Sequence, residues 1–280
     1  MKIGVAGAGV MGTGVAQCFA AAGHDVVVAD PDPRALASAP ERVLAGLKQA
    51  ALLGRRPPAG PLSAVPARIR WTGRLDDLGG SEFVVECAPE RLPVKDELFG
   101  TLDRLCPPAT VLASCTSAVP IGRLAAATAR ADRVVGTHFM NPVPLKEAVE
   151  VVRGTATSAE TLALTTELLS GIGKHAIVVA DGPGFVVNRV LMATVNEAIA
   201  AVHDGLADAT TVDRVFEDCL GHPMGPLRTA DLIGLDVVLD SLRVLRDCTG
   251  NPVYTPSPLL TELVGSGRLG RKSGRGFHAY

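Results

Sequence analysis

The chain has 280 residues, of which 47% are hydrophobic and 20% are charged, a balance typical of a globular protein with room for two domains. Its formal net charge of −2 predicts no partnership with nucleic acid or an anionic membrane. No apolar run reaches the ~18 residues of a membrane span. Because residues 2–6 already have a strand pattern, with no charged leader before them, we expect a cytoplasmic protein.

The first 30 residues predict a βαβ unit. Residues 2–6 favour a buried strand, a glycine-rich turn leads into an apolar helix that ends near Ala22, and residues 25–29 favour a second strand. The two strands are expected to pair in parallel through a right-handed crossover.

The glycine-rich turn has the pattern GxGxxG, in which Gly7, Gly9 and Gly12 enclose Val10 and Met11. Its position between a strand and a helix is the context that a dinucleotide fingerprint requires. Gly7 permits the tight turn, Gly9 lets the backbone approach a pyrophosphate, and Gly12 lets the helix pack closely on the strand.

An acidic residue completes this fingerprint. Asp30 follows the second strand, 18 residues after Gly12, where a carboxylate hydrogen-bonds the ribose 2′-hydroxyl and repels a 2′-phosphate. The sequence therefore predicts NAD as cofactor. The nearby Arg34 leaves NADP open as a minor alternative.

The remaining elements divide the chain into two domains. Further strand patterns occur at 83–86, 110–113, 133–136, 148–152 and 176–179, and helical patterns separate most of them. After residues 181–184 the period becomes helical, with a long helix expected to begin at Phe185. We expect an α/β fold: a Rossmann-type, doubly wound, mainly parallel sheet domain at 1–183 and an all-α domain at 184–280.

Two features bear on ligands. Residues 54–66 contain four prolines, which exclude a continuous helix, so we expect a surface excursion that carries Arg55 and Arg56. None of the six cysteines forms a CxxC pair or a zinc-like set with histidine, so no metal site is predicted.

Several short motifs lie along the whole chain, at residues 114–117, 138–144, 148–152, 183–189, 223–227, 233–236 and 270–277. In their order and spacing they together resemble the 3-hydroxyacyl-CoA dehydrogenase family, in its short 3-hydroxybutyryl-CoA dehydrogenase form.

The resemblance implies a role for each matched residue. It makes His138 the catalytic acid/base, Glu150 its partner, and Ser117 and Asn188 the polar groups around the reacting oxygen. It places Glu90, Lys95, Ser117, Asn141 and Lys272 near the NAD, together with the glycine turn. It places Arg55 and Arg56 near the CoA nucleotide. It also implies an acyl-thioester substrate, a site between the domains and a homodimer formed by the helical domain.

The chemistry accounts for these residue types. Oxidation of a secondary alcohol releases a proton, and imidazole, with an unperturbed pKa of ~6.5, is suited to accept it at neutral pH. A carboxylate such as Glu150 fixes the tautomer of the ring and stabilises the imidazolium. Taken singly, a histidine or a strand glutamate is more often structural, so the prediction depends on the whole set.

The chain departs from the family pattern at residues 114–118. The family has Ser-Asn-Thr-Ser-Ser there, whereas this chain has Cys115 in place of the asparagine and Ala118 in place of the last serine. These changes, with the prolines of 54–66, leave open a substrate on an acyl carrier protein, as in hydroxymalonyl or methoxymalonyl extender-unit synthesis. Two more distant alternatives are another β-hydroxy-acid dehydrogenase, which would use a catalytic lysine, and a non-catalytic NAD sensor.

Overall fold

The computed structural model describes residues 1–54 and 60–280. It consists of two compact units, Met1–Gly182 and Pro183–Tyr280. The described part of the first unit is a sheet of eight strands flanked by helices, and that of the second is helical. These observations confirm the predicted fold class.

The first unit has its strands in the order β3-β2-β1-β4-β5-β6-β7-β8. All neighbours are parallel except β6 and β7, which are antiparallel. The strands are β1 (Lys2–Ala6), β2 (Asp25–Ala29), β3 (Ile69–Thr72), β4 (Phe83–Glu86), β5 (Val111–Ser114), β6 (Val134–Phe139), β7 (Ala148–Arg153) and β8 (His175–Ala180). The helices are α1 (Val10–Ala21), α2 (Pro33–Leu52), α3 (Leu92–Leu105), α4 (Ile121–Ala125) and α5 (Ala159–Gly171).

The central strands are buried on both faces, which explains their continuous apolar sequences. Residues 111–114 of β5 and 134–139 of β6 are all buried, and the core between sheet and helices is rich in valine and alanine. Only β3 was not predicted. It is a short strand at the edge of the sheet, and its exposed Arg70 and half-buried Trp71 and Thr72 obscure the strand pattern.

The second unit contains α6 (Val187–His203), α7 (Ala209–Arg214), α8 (Pro226–Ile233), α9 (Leu235–Thr249) and α10 (Pro258–Gly265). The prediction that α6 begins at Phe185 is wrong by two residues. Gly184 and Phe185 have positive φ angles of 69° and 51°, a left-handed conformation that a right-handed helix cannot include.

The proline-rich stretch is only partly described. Leu62–Ala64 and Pro66–Arg68 form short 3₁₀ helices, whereas the predicted CoA ligands Arg55 and Arg56 lie outside the described residues. No helix in the described ranges combines the length and hydropathy needed to cross a membrane.

Candidate active site

The pairing of β6 and β7 places an imidazole beside a carboxylate. His138 and Glu150 are direct partners in this antiparallel ladder, and such partners lie side by side on one face of a sheet. His138 Nδ1 is 2.9 Å from Glu150 Oε2, and each residue is only 5% exposed. A carboxylate acceptor at Nδ1 favours the tautomer that carries its proton there. The structure thus brings together the two residues that the sequence assigns to proton transfer.

Ser117 lies in the segment that follows β5. Glu90 holds this segment in place by several hydrogen bonds. The carboxylate of Glu90 accepts bonds from the hydroxyl of Thr116 and from the backbone N–H groups of Ser117 and Ala118, the latter two at 2.8 and 3.1 Å. Burial raises the pKa of Glu90, but the Lys95 ammonium and these hydrogen bonds outweigh it and hold the pKa below its ordinary value. Glu90 is therefore ionised, and its carboxylate fixes the backbone at Ser117.

Behind this segment is a buried ion pair. Lys95 Nζ lies 2.7 Å from Glu86 and 3.1 Å from Glu90, and the side chains of Lys95 and Glu86 are each 1% exposed. Burial lowers the pKa of Lys95, but the two carboxylates more than offset it, so the pKa lies above its ordinary value. Glu86 also accepts hydrogen bonds from Ser114 Oγ at 2.5 Å and Ala88 N at 2.7 Å. One carboxylate thus links the ends of β4 and β5 to α3.

Glu86 was not predicted as a functional residue. The available signal is its position at the end of the apolar strand Phe-Val-Val-Glu, because an acid at a fully buried position needs a charged partner. That partner, Lys95, was predicted for a different reason.

The glycine turn lies at the wall of a cavity of about 820 Å³, within the size range of ligand pockets. Its lining includes residues of the turn, of the segments that follow β2 and β4, and of one face of α3, namely Gly7, Gly9, Val10, Met11, Asp30, Asp32, Cys87, Ala88, Pro89, Val94, Glu97, Leu98 and Thr101. The α3 residues were missed, since an amphipathic helix does not by itself show which cavity it faces.

The turn can accommodate a pyrophosphate. Gly7 has a φ of +114°, and a Cβ there would lie 2.6 Å from the carbonyl oxygen of Cys87, whereas one on Gly12 would lie 1.9 Å from that of Gly7. A Cβ on Gly9 would meet nothing within 4 Å. A side chain at Gly7 or Gly12 would therefore clash with neighbouring backbone. The backbone of Gly9, at the start of α1, is accessible to a ligand. These residues fit a bound dinucleotide.

Asp30 has a structural partner in the same turn. Its carboxylate accepts hydrogen bonds from Ala8 N at 2.6 Å and from Asp32 N at 2.8 Å. A carboxylate has about four acceptor sites, so these bonds are compatible with a ribose hydroxyl as a further donor. Arg42, which was not predicted, supports the turn by donating to Ala8 O at 2.7 Å.

The other predicted residues belong to three different segments of the chain. Asn141 is exposed in the loop after β6. Asn188 is the second residue of α6 and is half-buried. Lys272, also in the second unit, forms an ion pair with Asp236 at 2.6 Å. Within residues 1–54 and 60–280, no group of histidine, cysteine and acidic residues could hold a metal ion.

The sheet order, the glycine turn and the acid after β2 define the class of NAD-dependent dehydrogenases. Family comparison is more specific. Residues 2–182 match the NAD-binding domain of 3-hydroxyacyl-CoA dehydrogenase, and residues 184–280 match its C-terminal domain. The chain belongs to the 3-hydroxyacyl-CoA dehydrogenase family.

Individual relatives cover the whole chain. A probable 3-hydroxybutyryl-CoA dehydrogenase of Bacillus subtilis is 46% identical over 279 residues, which are 100% of this chain and 97% of the relative. The crystal structure of (S)-3-hydroxybutyryl-CoA dehydrogenase from Ralstonia eutropha has a TM-score of 0.92 at 38% identity and covers 100% of this chain and 98% of that one. FadB2 of M. tuberculosis has a TM-score of 0.94 at 39% identity, covering 99% and 98%.

Proposed function

We propose that the chain interconverts 3-hydroxyacyl and 3-ketoacyl thioesters of coenzyme A, with 3-hydroxybutyryl-CoA as a representative substrate. The observation that carries the proposal is the buried His138–Glu150 pair, with 2.9 Å between Nδ1 and Oε2. The names of the relatives above support the substrate class, because one is a 3-hydroxybutyryl-CoA dehydrogenase and another a probable 3-hydroxybutyryl-CoA dehydrogenase. These names do not favour the alternative of a carrier-protein substrate.

In this proposal His138 moves the proton. NAD, when bound, supplies the hydride acceptor. The 3-hydroxyl proton passes to Nε2, because Nδ1 already donates to Glu150, and the adjacent carboxylate stabilises the resulting imidazolium. In the reductive direction the same nitrogen returns a proton to the carbonyl oxygen. The near-complete burial of the pair strengthens the stabilisation, because water does not screen it.

Ser117 and Asn188 are proposed to hydrogen-bond the substrate oxygens. One donor aimed at a developing oxyanion typically contributes ~2.7–4 kcal/mol to transition-state stabilisation. For Ser117 the proposal is supported by the fixed backbone of its segment, because Ser117 N donates a hydrogen bond to the Glu90 carboxylate at 2.8 Å. A side chain on an anchored segment loses less entropy when it binds.

The cofactor contacts are proposed for the turn residues Gly7, Gly9, Val10, Met11 and Gly12 and for Asp30, Glu90, Lys95, Asn141 and Lys272. The turn and Asp30 line one cavity, and Pro89 and Val94, the sequence neighbours of Glu90 and Lys95, line it as well. This supports a dinucleotide that runs from the ribose site at Asp30 along the N-terminus of α1.

We also propose that the chain forms a homodimer through its helical unit and acts in the cytoplasm. Several large apolar side chains of that unit are exposed, including Leu220 at 61% and Leu232 at 53%, and such surfaces favour association. All six cysteines are free thiols, as expected in a reducing compartment. Light scattering after gel filtration should give twice the chain mass of 28.9 kDa, and a mass of one chain would contradict the dimer.

The substrate proposal is tested by NADH absorbance with matched thioesters. The purified chain is assayed with 3-hydroxybutyryl-CoA and NAD, with acetoacetyl-CoA and NADH, and with the same acyl groups on an acyl carrier protein. We expect a kcat/KM at least ~100-fold higher for the CoA substrates, about 2.7 kcal/mol of transition-state binding. A higher value on the carrier protein would overturn the CoA assignment, and no turnover of any thioester would overturn the reaction.

A further inference from the structure

Two cysteines occupy matching positions just beyond neighbouring strands. β4 and β5 pair in parallel with Glu86 opposite Ser114, and Cys87 and Cys115 are the next residue of each strand. The backbone N–H of Cys115 donates to the carbonyl of Glu86 at 2.8 Å, so the ladder continues to this position. Matching residues of parallel neighbours project from the same face of a sheet, which brings the two thiols together.

Observations at both positions agree with this register. One residue earlier, the Ser114 hydroxyl donates to Glu86 at 2.5 Å. At the next position, which faces the other side of the sheet, the neighbouring Cys115 thiol, together with burial, raises the pKa of Cys87 well above its ordinary value. The register and this effect together place the two thiols side by side.

The spacing suits a disulfide. Neighbouring strands lie ~4.7–4.9 Å apart, and disulfides join Cα atoms that are ~4.4–6.8 Å apart. A bond between Cys87 and Cys115 therefore needs adjustment of side chains and strand ends but no refolding. The other four cysteines lie elsewhere in the chain, with Cys219 and Cys248 exposed in the second unit.

Cys87 is part of the nucleotide cavity. It lines the cavity together with Gly7 and Gly9, and a Cβ added to Gly7 would lie 2.6 Å from its carbonyl oxygen. The segment that begins at Cys115 leads directly to Ser117. Drawing the sulfurs together to the ~2.05 Å of a disulfide would therefore shift the cavity wall against the glycine turn.

We propose that Cys87 and Cys115 are a reversible oxidation site at which a disulfide weakens NAD binding. With a peroxide as oxidant, the Cys115 sulfur attacks the peroxide oxygen, becomes a sulfenic acid and releases one water. The Cys87 sulfur then attacks the sulfenic sulfur, loses its proton and displaces a second water. Two thiols are thus oxidised by two electrons while one hydrogen peroxide is reduced to two waters. A dithiol reductant reverses the reaction by thiol–disulfide exchange.

The test measures the disulfide and NADH binding separately, so it does not depend on the proposed dehydrogenase reaction. The whole chain is treated with hydrogen peroxide, its remaining thiols are alkylated, and tryptic peptides 75–91 and 105–123 are analysed by mass spectrometry. Fragment ions distinguish Cys115 from Cys106 in the second peptide. NADH affinity is measured by fluorescence titration before oxidation, after oxidation and after reduction with dithiothreitol.

We expect a Cys87–Cys115 link, NADH binding weakened by about tenfold, recovery on reduction, and slower cross-linking when NADH is present. The variant Cys115→Ser should keep its own NADH affinity through the peroxide treatment. The control Cys219→Ser/Cys248→Ser, which lacks only exposed thiols of the second unit, should respond like the parent chain. Oxidation of Cys219 and Cys248 without a Cys87–Cys115 link would overturn the site. A link that leaves NADH affinity unchanged would overturn its effect on binding.

Discussion

The buried pair Glu86–Lys95 provides a quantitative test of the site's framework. Both side chains are 1% exposed and 2.7 Å apart. Lys95→Met leaves the buried Glu86 carboxylate, which still accepts hydrogen bonds from Ser114 and Ala88. We therefore expect the free energy of unfolding to fall by about 3 kcal/mol, near the lower end of the range for a broken buried pair. Glu86→Gln leaves Lys95 with Glu90 as its partner, and we expect a loss of about 2 kcal/mol.

The double variant distinguishes an ion pair from two independent contributions. Glu86→Gln/Lys95→Met removes both charges of the pair together, and Glu90 loses Lys95 in the double variant as it does in Lys95→Met. The total loss of unfolding free energy should therefore be about 3 kcal/mol rather than the sum of the single losses. The coupling energy is then about 2 kcal/mol. Urea unfolding followed by the fluorescence of Trp71, the only tryptophan, reports on the unit that contains the pair.

A matched control lies in the same unit. Arg123 and Asp96 are 2.9 Å apart, but their side chains are 57% and 32% exposed, so water screens the interaction and the corresponding cycle should be nearly additive. If the losses at Glu86 and Lys95 were also additive, the coupling energy would be as small as that of the exposed pair. That result would refute the view that a desolvated ion pair holds the ends of β4 and β5.

Three further predictions concern single residues. The lowered pKa of Glu90 means that its ionised form stabilises the fold above its ordinary pKa of 4.5 and that this contribution is lost as the pH falls through the lowered pKa. The urea midpoint of unfolding, followed by Trp71 fluorescence, should therefore fall less steeply below pH 4.5 in Glu90→Gln than in the parent chain. A midpoint with the same pH dependence in both chains would contradict this. Asp30→Ala should weaken NADH binding and narrow the NAD/NADP preference in fluorescence titrations; an unmoved preference would exclude Asp30 as the ribose ligand. Ser117→Ala should lower kcat by ~10²-fold, the size of one lost oxyanion donor, without weakening NADH binding, and a change in KM alone would assign the hydroxyl to ground-state binding.

The local parts of the fold were predictable from the sequence. The βαβ unit rests on one strand, one turn and one helix that follow each other within 30 residues, and the glycines have steric reasons that hold in any such unit. The pairing of His138 with Glu150 spans only 12 residues, so a short connection between adjacent strands could be expected to bring them together.

Long-range contacts were not predictable in the same way. The bonds from Glu90 to the Ser117 segment span 26 to 28 residues, and they depend on a parallel register that no local pattern encodes. The contact between Cys87 and Cys115 has the same origin. Phe185 shows a different limit, because a left-handed φ at a bulky residue is set by its surroundings rather than by its own preference.

Single-turnover hydride transfer at saturating NAD and 3-hydroxybutyryl-CoA tests most directly whether His138 moves the substrate proton while Glu150 holds the tautomer of its ring. NADH formation by the parent chain is compared with that of His138→Gln and Glu150→Gln, after NADH titration has shown that each variant binds the cofactor. We expect a rate lower by ~10²–10⁴-fold for His138→Gln and a smaller but clear loss of rate for Glu150→Gln. A His138→Gln variant that transfers hydride within a few-fold of the parent rate would contradict it.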